Sequence, residues 1–129
     1  MPKFKIPAVP RKIAFEQQQG RCYYCRSPIW LVDPDSFRRQ FDLTEAQVVL
    51  LKCTAEHLIA RSDGGTNDAR NIVAACWTCN QRRHKRKGRL CPDAYVRLVR
   101  RRVAAGRWHW PSLSVKVIRA APQVGSPSA

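Results

Sequence analysis

Apolar positions along this chain come in short runs, and the rest of the sequence is built to hold the stretch 54–88. Residues 53–60 (CTAEHLIA) alternate loosely and are apolar enough to form a strand. Residues 62–68 (SDGGTND) read as a turn, in which Gly64-Gly65 supplies the positive φ angles of a tight reversal. Residues 71–75 (NIVAA) form a second short apolar run. After Cys79 the chain becomes polar and helix-permissive until Gly88, the expected helix stop. The order is strand, turn, strand, helix. Adjacent strand residues point to opposite faces, so Glu56 and His57 must face different surroundings. Asn80 and His84, four apart, share one helix face.

The flanks predict further elements. A helix spans 11–19, with Ile13, Ala14 and Phe15 as its apolar face and Gly20 at its end. A compact turn then carries Cys22 and Cys25. In 29–52, IWLV predicts a short strand and DPDSFRRQF a loop or helical turn. Residues 44–51 predict a helix, with Thr44 and Gln47 at capping-box spacing. The apolar residues of this segment are expected to pack over the core, and the role of Arg38 and Arg39 stays open. A last helix spans 92–105, with Pro92 at its start and Gly106 past its end. Val96, Val99 and Val103 mark its apolar face, and WHWP after it is an anchor in which His109 packs. The expected organisation is a single α+β domain over 11–119, with its core at 21–88 and a helical extension at 92–106. A basic arm (1–10) precedes it, and a disordered tail (120–129) follows.

Composition adds a partner. Lys and Arg outnumber Asp and Glu 24 to 9 across 129 residues, a net charge of +15. After Cys79 there are 13 Lys/Arg against one acid, Asp93. So one-sided a field favours a polyanion, and nucleic acid is the usual one. An anionic membrane surface is disfavoured, because no stretch has a strong amphipathic apolar face. No run is long enough to span a bilayer, and MPKFKIPAVP lacks a signal-peptide core, so a cytoplasmic, reducing setting is expected. In that setting the two C-x-x-C pairs, Cys22/Cys25 and Cys76/Cys79, point to structural zinc in preference to disulfides. A thioredoxin-like pair is disfavoured because no βαβ pattern surrounds either one. Cys53 and Cys91 are expected as buried small apolar residues.

Taken together, C-x-x-C at Cys22/Cys25, EH at Glu56-His57, GGTNDARN ending at Asn71 and CWTCN ending at Asn80 resemble the HNH nuclease family over residues 21–88. The resemblance implies a small ββα-metal core with a zinc-knuckle staple and flanking helices. It implies His57 as general base, Glu56 as metal ligand and Asn71 as the brace of the loop that orients the histidine. Asn80 takes the last motif position, an HNN version, and His84 is a further ligand for metal or phosphate. Glu56 stands where the family more commonly has Asp or His, and its arm is one methylene longer than that of Asp. An oxygen-rich set suits Mg²⁺ or Mn²⁺, and participation of His84 admits Ni²⁺ or Zn²⁺. The implied partner is DNA, read as duplex, with a monomer favoured. Arg82, Arg83, Lys85, Arg86, Lys87, Arg97, Arg100 and Arg101 are the expected nucleic-acid-binding cations. The alternatives are a non-catalytic zinc-stapled nucleic-acid-binding module, and a nuclease that acts on RNA or as a toxin.

Overall fold

The computed structural model describes residues 6–110 and 112–113. The expected tail at 120–129 and the last residues of the expected domain lie outside them. Among the described residues are five α-helices and one two-stranded antiparallel sheet. Strand β1 (Cys53–His57) pairs with β2 (Ile72–Cys76) from Cys53↔Cys76 to His57↔Ile72. A lone strand pair is marginal in water and needs a packed face. Helix α1 (Ala8–Gln17) packs on both strands. The next residue, Gln18, clamps the sheet: its Nε2 donates to Ala74 O at 2.8 Å and its Oε1 accepts from Ala74 N at 2.9 Å. Helix α1 begins at Ala8, inside the stretch expected to be an irregular arm. Ala14 is buried as expected, while Ile13 is exposed.

The segment between the first cysteine pair and β1 folds into two short helices. Helix α2 (Pro34–Phe41) starts where Asp33 accepts from Ser36 N at 3.0 Å, with proline in its first turn. Phe37 is buried from it, and Arg38 and Arg39 are exposed in its last turn. Helix α3 (Glu45–Leu50) carries the expected capping box: Gln47 N donates to Thr44 Oγ1 at 3.2 Å, and Thr44 N donates to Gln47 Oε1 at 3.0 Å. The expected IWLV strand is reduced to one parallel bridge, Trp30↔Lys52, because the chain turns into the Asp33 cap three residues later.

Helix α4 (Trp77–Lys85) begins earlier than its polar run suggests. Its cap is a sulfur: Cys76 Sγ accepts from Cys79 N at 3.3 Å, so the second cysteine pair occupies the first helical turn. Helix α5 (Pro92–Ala104) buries Tyr95 and Val99. Tyr95 OH donates to Cys79 O at 2.8 Å, and its ring meets that of Tyr24 edge-on at 4.8 Å. The core is one cluster of buried side chains around Tyr24, Leu51, Ala74, Tyr95, Val99 and Trp108. No helix among the described residues is long and apolar enough to cross a membrane.

The strand connection is not the tight reversal expected. Strand β1 stops at His57, and residues 58–71 contain two short 3₁₀ turns, Arg61–Asp63 and Ala69–Asn71. Gly64 has φ +89°, and a Cβ there would meet open space. Gly65 is needed for proximity instead of for φ: a Cβ there would lie 1.7 Å from Ile59 O. Gly65→Ala should therefore destabilise the protein by more than about 2 kcal/mol, the size reserved for a specific steric defect. Gly64→Ala should cost about 1–2 kcal/mol through its left-handed backbone alone. Denaturant unfolding of the two variants at fixed zinc would compare them.

Candidate functional site

Two structures meet at the top of α4. The first is a sulfur cluster: the ligand atoms of Cys22, Cys25, Cys76 and Cys79 all lie within 4.8 Å of one another, and all four residues are buried. Cys25 Sγ and Cys76 Sγ are 3.9 Å apart. Tetrahedral zinc with Zn–S bonds of about 2.3 Å requires sulfurs ~3.8 Å apart. The cluster therefore fits a structural zinc ion. Donors surround it as thiolates require: Cys76 N reaches Cys22 Sγ at 3.3 Å and Trp108 Nε1 reaches Cys79 Sγ at 3.2 Å. His109 Nε2 lies 3.4 Å from Cys25 Sγ, so this ring contacts a candidate ligand as well as packing against Trp110. Burial raises the Cys76 and Cys79 thiols well above their ordinary value. Burial acts the same way on Cys25, but hydrogen bonds from the three other cysteines and His109 prevail and hold it well below. Cys53 stands outside the cluster, buried, its thiol pushed up to about 12 by desolvation. Cys91 is exposed, contrary to expectation, because it sits just ahead of α5 in the linking segment.

The second structure is a carboxylate network. Glu56 is 1% exposed, so its charge has left water and needs partners. Oε2 accepts from Tyr24 OH at 3.0 Å and from Arg83 Nη1 at 3.2 Å. Oε1 lies 2.8 Å from His84 Nε2. Tyr24, between the two knuckle cysteines, has its phenol raised far above the ordinary range by burial and then by the Glu56 charge. Arg83 is 3% exposed and also donates to the carbonyls of His57 and Leu58, each at 3.1 Å. Its expected role as a nucleic-acid contact is therefore corrected: the guanidinium is spent inside the fold.

His57 faces the other way, half-buried. Its Nε2 lies 2.8 Å from Asn67 Oδ1 and 3.3 Å from Arg61 Nε. These contacts ask opposite things of one nitrogen. The Asn67 contact is shorter, and Arg61 Nη2 also donates to Asn67 Oδ1 at 3.0 Å. Both favour Nε2–H as donor to that oxygen, which leaves Nδ1 with its lone pair. Asn71 ties the loop to itself, since its Nδ2 donates to Ile59 O at 3.0 Å and Thr66 O at 2.8 Å while its Oδ1 accepts from Ile59 N at 2.8 Å. Asn80 Nδ2 donates to Thr54 Oγ1 at 3.0 Å, which leaves its Oδ1 as an acceptor.

Compared with known families, residues 39–86 match the model of the HNH endonuclease. Over these residues the chain is similar to the HNH endonuclease family. Neither the curated proteins nor the solved structures give a match to the chain. The HNH match opens in α2 and closes just past α4, so it includes Glu56, His57, Asn71, Asn80 and His84. Cys76 and Cys79 fall inside it, and Cys22 and Cys25 precede it, so the zinc site joins the HNH segment to the chain before it.

The HNH family implies a divalent ion, and the donor set fits one. Glu56 Oε1 and His84 Nε2 already converge, and Asn80 stands one turn before His84 on the same helix. Among the described residues no third His, Cys, Asp or Glu joins them, so one carboxylate oxygen, one imidazole and an amide are what the protein offers. Such a mixed set suits Mn²⁺ and its neighbours as well as Mg²⁺. Of the expected cationic contacts, Arg82, Lys85, Arg86, Lys87, Arg97, Arg100 and Arg101 are exposed. Arg82 is partly committed, donating to Trp108 O at 2.9 Å. Asn67 and Tyr24 are the partners that sequence reasoning missed.

Two outcomes follow. With zinc retained, iodoacetamide should modify Cys91 alone, and adding a chelator should open the four cluster thiols; intact-mass spectrometry counts the adducts. Glu56→Ala should cost about 3–5 kcal/mol by stranding the buried Arg83 charge. Glu56→Gln, which keeps the acceptor, should cost less in the same unfolding assay.

Proposed function

We propose that the protein is a divalent-metal-dependent endonuclease that hydrolyses phosphodiester bonds in DNA. The observation that carries this reading is the pairing of an oriented histidine with a metal-competent couple. His57 is pinned through one ring nitrogen to Asn67, while its chain neighbour Glu56 reaches His84 across the strand–helix packing. With Nε2–H held by Asn67, Nδ1 of His57 is the atom that takes a proton from water as it attacks phosphorus. Asn71 keeps the loop that carries Asn67 folded against β1, so the imidazole is aimed before substrate arrives. A divalent ion held by Glu56, His84 and Asn80 would supply electrostatic stabilisation of the charge that grows on the phosphate and the departing 3′ oxygen. Arg83 and Tyr24 hold the other Glu56 oxygen and fix the carboxylate in one orientation. Lys85, Arg86, Lys87 and the cations of α5 give salt-sensitive hold on the nucleic-acid backbone.

Plasmid nicking by purified protein with Mg²⁺, Mn²⁺ or Ni²⁺, beside His57→Ala, tests this. The wild-type protein should nick only with added metal. His57→Ala should lose about 10²–10⁴-fold in rate, the usual contribution of a general base, with DNA binding retained. Equal nicking by both proteins would remove His57 from the role. Tight, salt-dependent binding without cleavage under any metal would leave a zinc-stapled binding module. RNA cleaved in preference to DNA would move the substrate assignment.

A further inference from the structure

The row of α4 residues next to Asn80 and His84 is Trp77, Gln81 and Lys85, which recur at the four-residue spacing of one helix face. This row borders a cleft of about 480 Å³, whose far wall is the segment Trp108, His109 and Trp110. The volume is within the range of about 300–1,000 Å³ typical of small-molecule sites. Trp108 is structural: it is buried, and its indole N–H is taken by Cys79 Sγ. Trp77 is different. It is 37% exposed at the start of the helix, held in place by its backbone N–H donating to Lys52 O at 2.9 Å. Across the cleft, the Arg82 guanidinium lies 4.6 Å from the centroid of the Trp108 ring, so a fixed cation lines the same space. The cleft therefore combines an exposed aromatic surface with fixed and mobile positive charge.

We propose that this cleft is a subsite for an unpaired nucleotide flanking the scissile phosphate, whose base stacks on Trp77 while its phosphate meets Lys85. The inference rests on the nuclease reading above for its substrate, and it narrows that substrate. A base inside a duplex has both faces covered by its neighbours, and only a single strand, gap or flap offers one to an aromatic side chain. The charge of +15, and the Arg82 and Lys85 cations at the cleft itself, favour an anionic ligand and match a nucleic-acid backbone. Because the Trp77 row adjoins the Asn80 and His84 row on one helix, a strand crossing the candidate metal ligands passes directly onto it.

The test is binding of a labelled single-stranded oligothymidylate and of a short duplex to the full-length protein, without added divalent cation. Trp77→Ala should weaken single-strand binding by about tenfold, the scale of one stacked base, and leave duplex binding unchanged. Trp77→Phe should restore most of the loss. Lys85→Ala should lower the slope of log K against log salt for the single strand by about 0.7, one phosphate contact. Equal losses on both ligands for Trp77→Ala, or no loss on the single strand, would overturn the subsite. Cleavage of a plasmid and of a gapped or flapped oligonucleotide, each with added metal, separates this from the parent reading. A protein that cleaves but shows no Trp77 dependence loses the subsite alone. One that shows the Trp77-dependent preference but never cleaves keeps the subsite and loses the nuclease.

Discussion

A carboxylate taken almost wholly out of water constrains more of this molecule than any other group. Glu56 sits on a strand between a zinc knuckle and a helix, and its desolvated charge requires compensation from both. Tyr24 answers from the knuckle, and Arg83 and His84 answer from α4. The same arginine closes the carbonyls of His57 and Leu58, so the strand end that presents His57 is tied to the charge that Glu56 carries. Burial of Glu56 and the opposite, half-buried setting of His57 are thus one structural event, enforced by strand alternation.

The cysteine cluster solves a different problem. A sheet of two strands buries little, and the chain is small for a self-sufficient core. Four sulfurs from a turn, a strand end and a helix start draw the N-terminal segment onto the HNH fold. Trp108 and His109, reaching the outer side of the sulfurs, bring the end of the described chain to the same point. One ion would therefore organise segments far apart in sequence, and the aromatic wall of the α4 cleft depends on that organisation.

Local chemistry made much of this legible. The capping box at Thr44, the cysteine spacing and the strand–strand–helix order depend on neighbours in sequence, and all are present in the fold. Long-range pairing was less accessible. Nothing in SDGGTND distinguishes Asn67 as a partner for His57, because that contact exists only once the loop has closed. Arg83 was hidden in a basic run, although a signal existed: it lies four residues after Cys79, and a helix residue at that spacing shares the buried face. Tyr95 escaped in the same way, one turn before Val99 but outside the valine stripe. The tight Gly-Gly reversal failed because Gly65 serves proximity to Ile59, a contact invisible to turn chemistry.

The Gln18 clamp on Ala74 has a bearing on how copies of this protein meet. A two-stranded sheet has two open sides, each able to template a further strand from another chain. Here the outward N–H and C=O of Ala74 are both taken by one side-chain amide, and Tyr23 N also donates to that carbonyl at 2.8 Å. On the opposite side Asn80 Nδ2 reaches Ala55 O at 3.5 Å. The middle of β2 is thus closed to growth by groups from its own chain, and on the β1 side Asn80 stands over the central carbonyl.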